Sequence, residues 1–224
     1  MSEIVGELFV VATPIGNLGD FSARAKQVLS LVDVVLCEDT RVTSKLLAAL
    51  ELRPSLNSFH EHTDALKRKQ FVSMLQAGKR IALVTDAGTP AISDPGSFLV
   101  AEAVAAGVKV TPIPGASAVI AALSISGLPL DRFTFVGFPP HKKGRQSFFK
   151  ELGEIEHTVV LYESTHRIMK ALESLQELGR DLVVCRELTK LHETIYRGTA
   201  AEIRQQLETT STKGEFVIIL APRK

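Results

Sequence analysis

The sequence predicts an α/β fold with mostly parallel sheets, and three observations lead to that prediction. Eight short apolar runs rich in Val, Leu and Ile recur along the chain, and most lack polar–apolar alternation, as is typical of strands covered on both faces. Amphipathic helical patterns separate the runs, and alternation of strand and helix favours parallel sheets. The composition, 45% hydrophobic and 23% charged, is that of an ordinary globular protein. Disordered, collagen-like and coiled-coil chains are excluded.

The predicted strands and helices follow one another in chain order. The strands are expected at 8–13, 32–37, 81–85, 108–113, 133–137, 158–162, 182–187 and 215–220. The first clear helix is expected to begin at Asp20 or Phe21, with one apolar face formed by Phe21, Ala25, Val28 and Leu29. A second helical pattern places together Leu66, Phe71, Met74 and Leu75. A third is predicted to start at an N-cap, Thr165, and to stop at Gly179.

The domain organisation follows from length and from one break in the pattern. At about 150 residues per domain, 224 residues correspond to one large domain or two small ones. Segment 111–130 is rich in proline and in small residues, as is typical where a chain passes between two lobes. We therefore expect one α/β domain at 1–117 and a second at 118–224.

Charge and cysteine content limit the function classes. The 26 basic and 25 acidic residues give a net charge of +1, so any polyanion site must be a local patch. No apolar run approaches the roughly 20 residues needed to span a bilayer, and the N-terminus lacks the basic region of a signal peptide. The two cysteines, Cys37 and Cys185, adjoin apolar runs and are expected to be buried, reduced thiols, and the histidines and cysteines show no metal-ligand spacing. These features predict a cytosolic protein with no membrane segment and no metal.

Three turns that follow predicted strands carry the first candidate site. The segment ATPIGNLGD (12–20) contains glycines at a strand-to-helix turn, where open α/β sheets bind ligands. Glu38 and Asp39 follow about 20 residues later, as in dinucleotide sites, but G-x-x-G is not the dinucleotide fingerprint, and Asp20 would place a carboxylate where a pyrophosphate should lie. A dinucleotide, another nucleoside-type ligand and a plain turn all remain open. The long polar loop VTDAGTPAISDPG (84–96) and the turn PIPGAS (112–117) are expected at the same sheet edge, as part of a shared pocket or as well-capped loops.

Two later segments combine charge with aromatic or hydroxyl groups. In GFPPHKKGRQSFFK (137–150), basic side chains lie between Phe138 and the pair Phe148 and Phe149, a pattern that suits RNA phosphates and bases but also a solvated surface. The segments YESTHR (162–167) and RELTKLHETIYRGT (186–199) mix acids, bases and hydroxyls at strand ends. They form either part of an active site or a solvent-facing set of ion pairs.

Taken together, these segments resemble the tetrapyrrole methylase superfamily of S-adenosylmethionine-dependent methyltransferases. The residues that carry the resemblance run in order from 8 to 193: LFVVATPIGNLGD, VVLCEDTR, LVTDAGTPAISDPG, PIPGASAVIAALSISGLP, FVGFPPHK, LYESTHRI and RELTKLHE. Within the superfamily they are most similar to the branch that methylates a ribose 2′-oxygen of small-subunit ribosomal RNA. The resemblance implies two α/β lobes with S-adenosylmethionine in the cleft between them, a cytidine in the decoding region of 16S rRNA as substrate, and a homodimer. Members of this branch usually continue into a small C-terminal domain, which we expect to be absent here because the chain stops at APRK.

The resemblance also implies the cofactor contacts, and we add hypotheses for the residues that bind RNA and carry out catalysis. The cofactor is expected to contact Pro14, Thr89, Pro90, Ile92, Ser93, Ser117, Ala118, Glu163 and Gly198. RNA is expected to be held by Lys142, Lys143, Arg145 and His166. The candidates for catalysis are Asp39, Arg41, Glu163, Glu187 and Lys190. Lys190 and Glu187 are the first choices, because burial can lower the pKa of a lysine enough for it to accept a proton.

Three other functions remain open at this point. A methyltransferase acting on a tetrapyrrole would share the fold, but it would have little use for the basic segment 137–150. A nucleotide-dependent oxidoreductase would explain Glu38 and Asp39. A non-enzymatic RNA-binding or assembly factor would need no cofactor.

Overall fold

A computed structural model describes residues 6–223 of the chain. The described chain divides into two compact units, with the division between Ser117 and Ala118. Each unit is built around a five-stranded sheet of its own.

The first unit is an all-parallel α/β unit. Its strands are β1 (Glu7–Val11), β2 (Val34–Cys37), β3 (Ser55–Ser58), β4 (Arg80–Leu83) and β5 (Lys109–Ile113). Its helices are α1 (Ala23–Leu31), α2 (Thr40–Ala49), α3 (Ala65–Gln76) and α4 (Ser97–Ala105). The strand order is β3-β2-β4-β1-β5, and every pairing is parallel. β1 is therefore next to both β4 and β5.

Two apolar clusters cover the two faces of this sheet. Leu8 and Ile81 belong to one cluster, and Val11 and Ala82 belong to the other. Successive side chains of a strand point to opposite faces, so a strand covered on both sides must be apolar at every position. The continuous apolar runs in the sequence have this cause.

The second unit has a mixed sheet. Its strands are β6 (Phe133–Phe135), β7 (Thr158–Ser164), β8 (Leu182–Arg186), β9 (Thr194–Gly198) and β10 (Glu215–Leu220). Its helices are α5 (Ala118–Ser124), α6 (Arg145–Glu154), α7 (Ile168–Gln176) and α8 (Ala200–Thr209). The strand order is β6-β7-β10-β8-β9; β6 and β7 run parallel, and the other three pairings are antiparallel.

The predicted fold class is confirmed, with one refinement. Pairing is mostly parallel over the two sheets, but the second sheet is mainly antiparallel. The apolar run EFVIIL becomes β10, in the middle of that sheet and buried along most of its length. A strand buried on both faces has the same sequence pattern whichever way it runs, so the pattern did not reveal this direction.

All eight predicted strands are present, and two further strands were missed. These are β3, with the sequence SLNS, and β9, with the sequence TIYRG. Both lie at the edge of their sheet and are short and partly polar. An edge strand of this kind lacks the apolar run on which the prediction rested.

Three expectations about helices were wrong. α1 begins at Ala23 with Ser22 as its N-cap, not at Asp20 or Phe21, and a separate 3-10 turn occupies Leu18–Asp20. Thr165 does not cap α7; its hydroxyl donates to the Gly214 carbonyl at 2.7 Å, and the helix starts at Ile168. Leu66 is 70% exposed, although Phe71 and Leu75 on the same helix are buried.

The expectations about cysteine hold in the structure. Cys37 and Cys185 are both buried and free. Burial raises the pKa of the Cys185 thiol to about 11, so this thiol stays protonated and acts as a small apolar core group. Within residues 6–223, none of the helices has the length and apolar character needed to cross a membrane.

Candidate active site

Three of the motifs meet at the carboxyl edge of the first sheet. The Thr13 amide donates to the Gly88 carbonyl at 2.8 Å, and the Gly88 amide donates back to the Thr13 carbonyl at 3.1 Å. The buried Thr13 hydroxyl donates to the Thr85 carbonyl at 3.0 Å. The Thr89 hydroxyl donates to the Ala116 carbonyl at 3.3 Å. These bonds join the turns after β1, β4 and β5 into one rigid edge.

Gly115 allows the first and third turns to approach each other. A Cβ atom at this position would lie 2.9 Å from the Ala12 Cβ and 3.3 Å from the Ala12 carbonyl oxygen. Contacts of that length force the backbone apart, so a larger residue at position 115 would separate the two turns. The glycine in PIPGAS is required by this close packing.

The loop after β4 holds an unusual backbone conformation. Ala91 and Ser93 have φ values of 66° and 64°, in the left-handed region that non-glycine residues avoid. Each such residue costs on the order of 1 kcal/mol or more, and it persists only where the surroundings impose it. Strain of this kind concentrates at ligand-binding segments, which makes this loop a candidate binding element.

Three carboxyl groups lie at the same edge of the first unit. Burial raises the pKa of Asp94 to about 6, against an opposing hydrogen bond from Thr85. Burial also raises the pKa values of Asp86 and Glu38, and neighbouring carboxylates add to both shifts. Groups with shifted pKa values near a polar loop are typical of functional sites, and a cation placed among them would relieve their repulsion.

Asp86 and Asp94 were missed as site residues, although both lie in the motif TDAGTPAISDPG. Two aspartates in a rigid loop after a strand were the available signal. Beside this loop, a cavity of about 250 Å³ is lined partly by Ser93, Asp94, His60 and Phe98. Its volume is slightly below the range of about 300–1,000 Å³ that is typical of small-molecule sites.

All six predicted cofactor residues of the first unit lie at this edge. All of the following lie in the three joined turns: Pro14, Thr89, Pro90, Ile92, Ser93 and Ser117. Ile92 is 48% exposed and offers an apolar surface beside these hydroxyl and amide groups. Ala118, the next predicted contact in the sequence, is the first residue of α5.

Asp39 and Arg41, two of the predicted catalytic residues, form a local ion pair. The Asp39 carboxylate caps α2 by accepting from the Arg41 amide at 2.8 Å, and the Arg41 guanidinium binds the same carboxylate at 2.6 Å. These hydrogen bonds lower the pKa of Asp39 to about 2. A carboxylate with so low a pKa is a weak base, which argues against proton transfer by Asp39. Arg41 is already neutralised by this partner.

Glu163 lies at the centre of a buried ion-pair group in the second unit. Its side chain is completely buried, and its two oxygens contact the Arg145 guanidinium at 3.0 Å and the Arg167 guanidinium at 2.9 Å. The Ser164 amide donates to the same carboxylate at 2.8 Å. We call Arg145, Glu163 and Arg167 the buried triad. Both carboxylate oxygens are therefore engaged by groups of the second unit, and the contact of Glu163 with the cofactor or the reacting atoms stays a prediction.

The buried triad also fixes the start of the loop between β6 and α6 (136–144), which we call the basic loop. Arg145 donates to the Pro140 carbonyl at 3.2 Å, and Arg167 donates to the Pro139 carbonyl at 3.0 Å. Arg145 was predicted to bind RNA, but its side chain is only 15% exposed and is committed to Glu163 and Pro140. Arg145 therefore holds the loop to the core of the second unit, and its contact with RNA stays a prediction. Arg167 was missed as a site residue, although it lies in the segment YESTHR that was singled out from the sequence.

The other predicted RNA contacts remain available to a ligand. Lys142, Lys143 and His166 are all exposed. Within the described residues, none of the three takes part in an ion pair. The tip of the basic loop therefore carries positive charge that no neighbouring carboxylate neutralises.

Lys190 and Glu187 pair with each other. The Lys190 ammonium contacts Glu187 at 2.9 Å and Glu215 at 2.7 Å. Burial alone would lower the pKa of Lys190, but hydrogen bonds to Glu215 and Glu187 outweigh it and the pKa is raised. The pKa of Glu187 is lowered, since the hydrogen bond from Lys190 outweighs the effect of burial. The structure thus corrects the expectation of a lysine with a lowered pKa: Lys190 stays charged and is unsuited to accept a proton.

The turn that carries this pair is strained. Glu187 and Thr189 have φ values of 54° and 65°. The Glu187 carboxylate accepts from the Glu215 amide at 2.9 Å, and the Thr189 hydroxyl is buried without a hydrogen-bond partner. As in the loop after β4, the strained residues lie in a segment singled out by its sequence.

Gly198 lies at the other end of the second sheet from Glu187. Gly198 pairs with Leu182 at the start of β8, whereas Thr194 pairs with Arg186 at its end. The φ of Gly198 is +136°, and a Cβ atom there would lie 2.6 Å from the Glu202 carboxylate. The structure does not bring Gly198 together with Glu163 or Glu187 at one strand edge, and this glycine makes room for the N-terminal cap of α8.

Solved structures identify the class to which this architecture belongs. The chain superposes on a cobalt precorrin-4 methyltransferase of cobalamin biosynthesis with a TM-score of 0.70 at 19% identity, over 96% of this chain and 94% of that one. A diphthine synthase gives a TM-score of 0.72 at 16% identity, over 96% and 90% of the two chains. At such low identity the likeness shows the fold alone. That fold is the one adopted by tetrapyrrole methylases and diphthine synthase.

Sequence comparison gives the family. The model for Tetrapyrrole (Corrin/Porphyrin) Methylases matches residues 7–204. A Synechocystis protein named Ribosomal RNA small subunit methyltransferase I is 47% identical, over 97% of this chain and 79% of its own length. The Xylella fastidiosa protein of the same name is also 47% identical, over 96% and 81%. The chain belongs to the tetrapyrrole methylase family, and it is a methyltransferase, as the resemblance predicts.

Proposed function

We propose that the chain transfers a methyl group from S-adenosylmethionine to the ribose 2′-oxygen of a cytidine, cytidine-1402, in the decoding region of 16S rRNA. One observation carries the proposal: identity of 47% over nearly the whole chain to relatives named for methylation of small-subunit ribosomal RNA. The exposed basic loop of the second unit is consistent with an RNA substrate.

The edge of the first sheet has groups that fit the cofactor. S-adenosylmethionine carries an ammonium and a sulfonium, a carboxylate, ribose hydroxyls and a flat base. The cluster of Asp86, Asp94 and Glu38 suits the positive charges, while Thr89 and Ser117 with nearby backbone amides suit hydroxyl and carboxylate groups. When bound, the cofactor supplies an electrophilic methyl group on its sulfonium.

The methyl group moves from the sulfonium to the 2′-oxygen, the thioether S-adenosylhomocysteine leaves, and the hydroxyl proton is released to water. The remaining work for the protein is alignment. Holding a 2′-hydroxyl in line with a methyl group is worth up to about 7–11 kcal/mol of the barrier when the geometry is ideal. Rigid, hydrogen-bonded turns and a buried triad are suited to this task, because folding has already fixed their positions before the reaction begins. Lys190, which stays protonated, contributes in this proposal as a fixed positive charge and not as a base.

Titration calorimetry with S-adenosylmethionine, with NADH as the control ligand, tests the cofactor assignment. We expect saturable binding of S-adenosylmethionine and no response to NADH. Transfer of a tritiated methyl group to small ribosomal subunits that lack the modification then tests the substrate. Binding of NADH instead of S-adenosylmethionine, or methylation of a base instead of a ribose, would contradict the proposal.

The basic loop has its own test. Replacement of Lys142 and Lys143 by alanine removes the two unpaired charges, and the matched control replaces the exposed Lys26 and Lys69 of the first unit. We expect the slope of log affinity against log salt to fall by about 0.7 for each phosphate of single-stranded RNA that is no longer neutralised, and only in the loop variant. Cofactor binding should not change. Equal slopes for the two variants would remove the loop from the RNA site.

Two further parts of the proposal concern the state of the protein. We place its activity in the cytosol, where small ribosomal subunits are found, and we propose that it acts as a homodimer. Light scattering on the purified chain tests the second point, with a mass of two chains expected against 24.3 kDa for one.

A further inference from the structure

We propose that Phe138 is a stacking platform for an unpaired base of the RNA substrate. The inference rests on the proposed function, because it takes RNA as the substrate and identifies a surface that receives it. The site consists of the Phe138 ring together with the two lysines at the tip of the basic loop. The ligand class is a single-stranded ribonucleotide segment.

Phe138 is the one phenylalanine of segment 137–150 with a largely accessible ring. Phe149 is 4% exposed and lies in the core of the second unit, and Phe148 packs against the same core. Phe138 is 51% exposed. The aromatic residues noted in the sequence therefore divide into two that stabilise the core and one that faces outward.

The Phe138 ring is held in place by its neighbours. The Tyr162 ring contacts it with centroids 5.3 Å apart, and Tyr162 packs in turn against Phe135 at 5.0 Å. The Arg167 guanidinium lies 5.9 Å from the Phe138 centroid. Arg167 is itself fixed by Glu163 and by the Pro139 carbonyl. A ring already immobilised loses little entropy when a base stacks on it.

The charges around the ring favour a nucleic acid over an apolar partner. The buried triad has two guanidinium groups against one carboxylate, so it carries a net positive charge. Lys142 and Lys143 add two exposed charges within five residues of Phe138. An exposed aromatic ring beside cations is the combination that binds single-stranded nucleic acid, with stacking for the base and charge for the phosphates.

The chain contains no tryptophan, so a single introduced tryptophan reports on its own surroundings. Phe138→Trp places that reporter in the proposed site. Phe133→Trp is the matched control, because Phe133 is also exposed, at 40%, but lies at the start of β6 and outside the basic loop. We expect a single-stranded oligoribonucleotide containing the target cytidine to quench the emission of Phe138→Trp and to leave Phe133→Trp unchanged.

Polyphosphate separates stacking from charge. It can occupy the lysines but has no base, so it should bind the Phe138→Trp variant without the quenching that RNA causes. Phe138→Ala and Phe138→Leu should bind the oligoribonucleotide roughly 5- to 150-fold more weakly than the wild type, whereas Phe138→Tyr should retain affinity. Circular dichroism confirms that each variant is folded.

The outcomes distinguish this inference from the proposed function. If the wild type binds and methylates RNA while Phe138→Trp emission is unaffected and Phe138→Ala binds normally, the stacking site is refuted and the function stands. Equal quenching by polyphosphate would refute stacking as well. If the wild type neither binds RNA nor methylates it, the proposed function fails, and the inference fails with it.

Discussion

Replacement of Glu163 by glutamine tests the buried triad most directly. The carboxylate is completely buried, and it accepts from two guanidinium groups and from the Ser164 amide at 2.8–3.0 Å. The arginine side chains are only 15% and 16% exposed, so water has little access to replace the lost partner. Removing one member of a buried ion pair costs about 3–5 kcal/mol, because it leaves a buried charge without compensation. We expect the free energy of unfolding to fall by that amount.

Urea unfolding of the full chain, followed by circular dichroism, measures the change. The matched control is Glu208→Gln, which breaks an exposed pair with Arg204 at 3.5 Å and should cost less than about 0.5 kcal/mol. Because the chain divides into two units, amide hydrogen exchange should show the loss of protection in β7 and its neighbours and not in the first sheet.

A loss below about 1 kcal/mol for Glu163→Gln, or one equal to that of Glu208→Gln, would refute the reasoning. Replacement of all three members of the triad by methionine provides a second test. This triple replacement removes all the charges together. A protein in which apolar groups of similar volume replace a buried ion pair is often no less stable than the wild type. We expect this triple variant to be more stable than Glu163→Gln, yet to bind RNA poorly because Pro139 and Pro140 lose their hydrogen bonds.

Two further predictions follow from pKa shifts. Burial raises the pKa of Asp94 to about 6 in the folded state, so its contribution to stability is complete below about pH 4 and is lost as the pH rises through about 6. Asp94→Asn should therefore make the melting temperature less dependent on pH over that interval. Parallel plots of melting temperature against pH for the two proteins would contradict the assignment. Hydrogen bonds to Glu215 and Glu187 outweigh burial and keep Lys190 protonated. Lys190→Arg should therefore retain the rate of methyl transfer within about tenfold in a tritium-transfer assay. If Lys190 were the general base, the rate would fall on the order of 10²- to 10⁴-fold.

The sequence predicted the strands of the two sheets better than it predicted site chemistry. Runs such as EFVIIL indicate a buried strand directly, because every position of a strand must be apolar when both faces of the sheet are covered. The polar edge strands β3 and β9 were missed because they have no such run. Helix starts were misplaced by a few residues, since Ser22, Asp20 and Thr165 are all residue types that can cap, and only the backbone decides which one does.

The candidate site shows the same division. The turns containing Thr13, Gly88 and Gly115 were recognised from sequence, and the structure joins them by hydrogen bonds and close backbone contact. The protonation states and the ion-pair partners of the charged site residues were not recognised from the sequence. Lys190 was expected to have a lowered pKa, yet Glu215, 25 residues away in the chain, raises it. Distant partners of this kind leave no local pattern.

The sequence by itself thus determined the fold class, the family and the segments that carry the chemistry, because these depend on apolar periodicity and on motifs contiguous in the chain. The tertiary structure alone decided which charges are free and which are neutralised. Arg145 and Lys143 look alike within one basic segment, but Arg145 reaches a buried carboxylate 18 residues away, while Lys143 stays exposed at the tip of the loop. The free energy of a charge depends on its burial and its partners, and folding brings those partners together from distant parts of the chain.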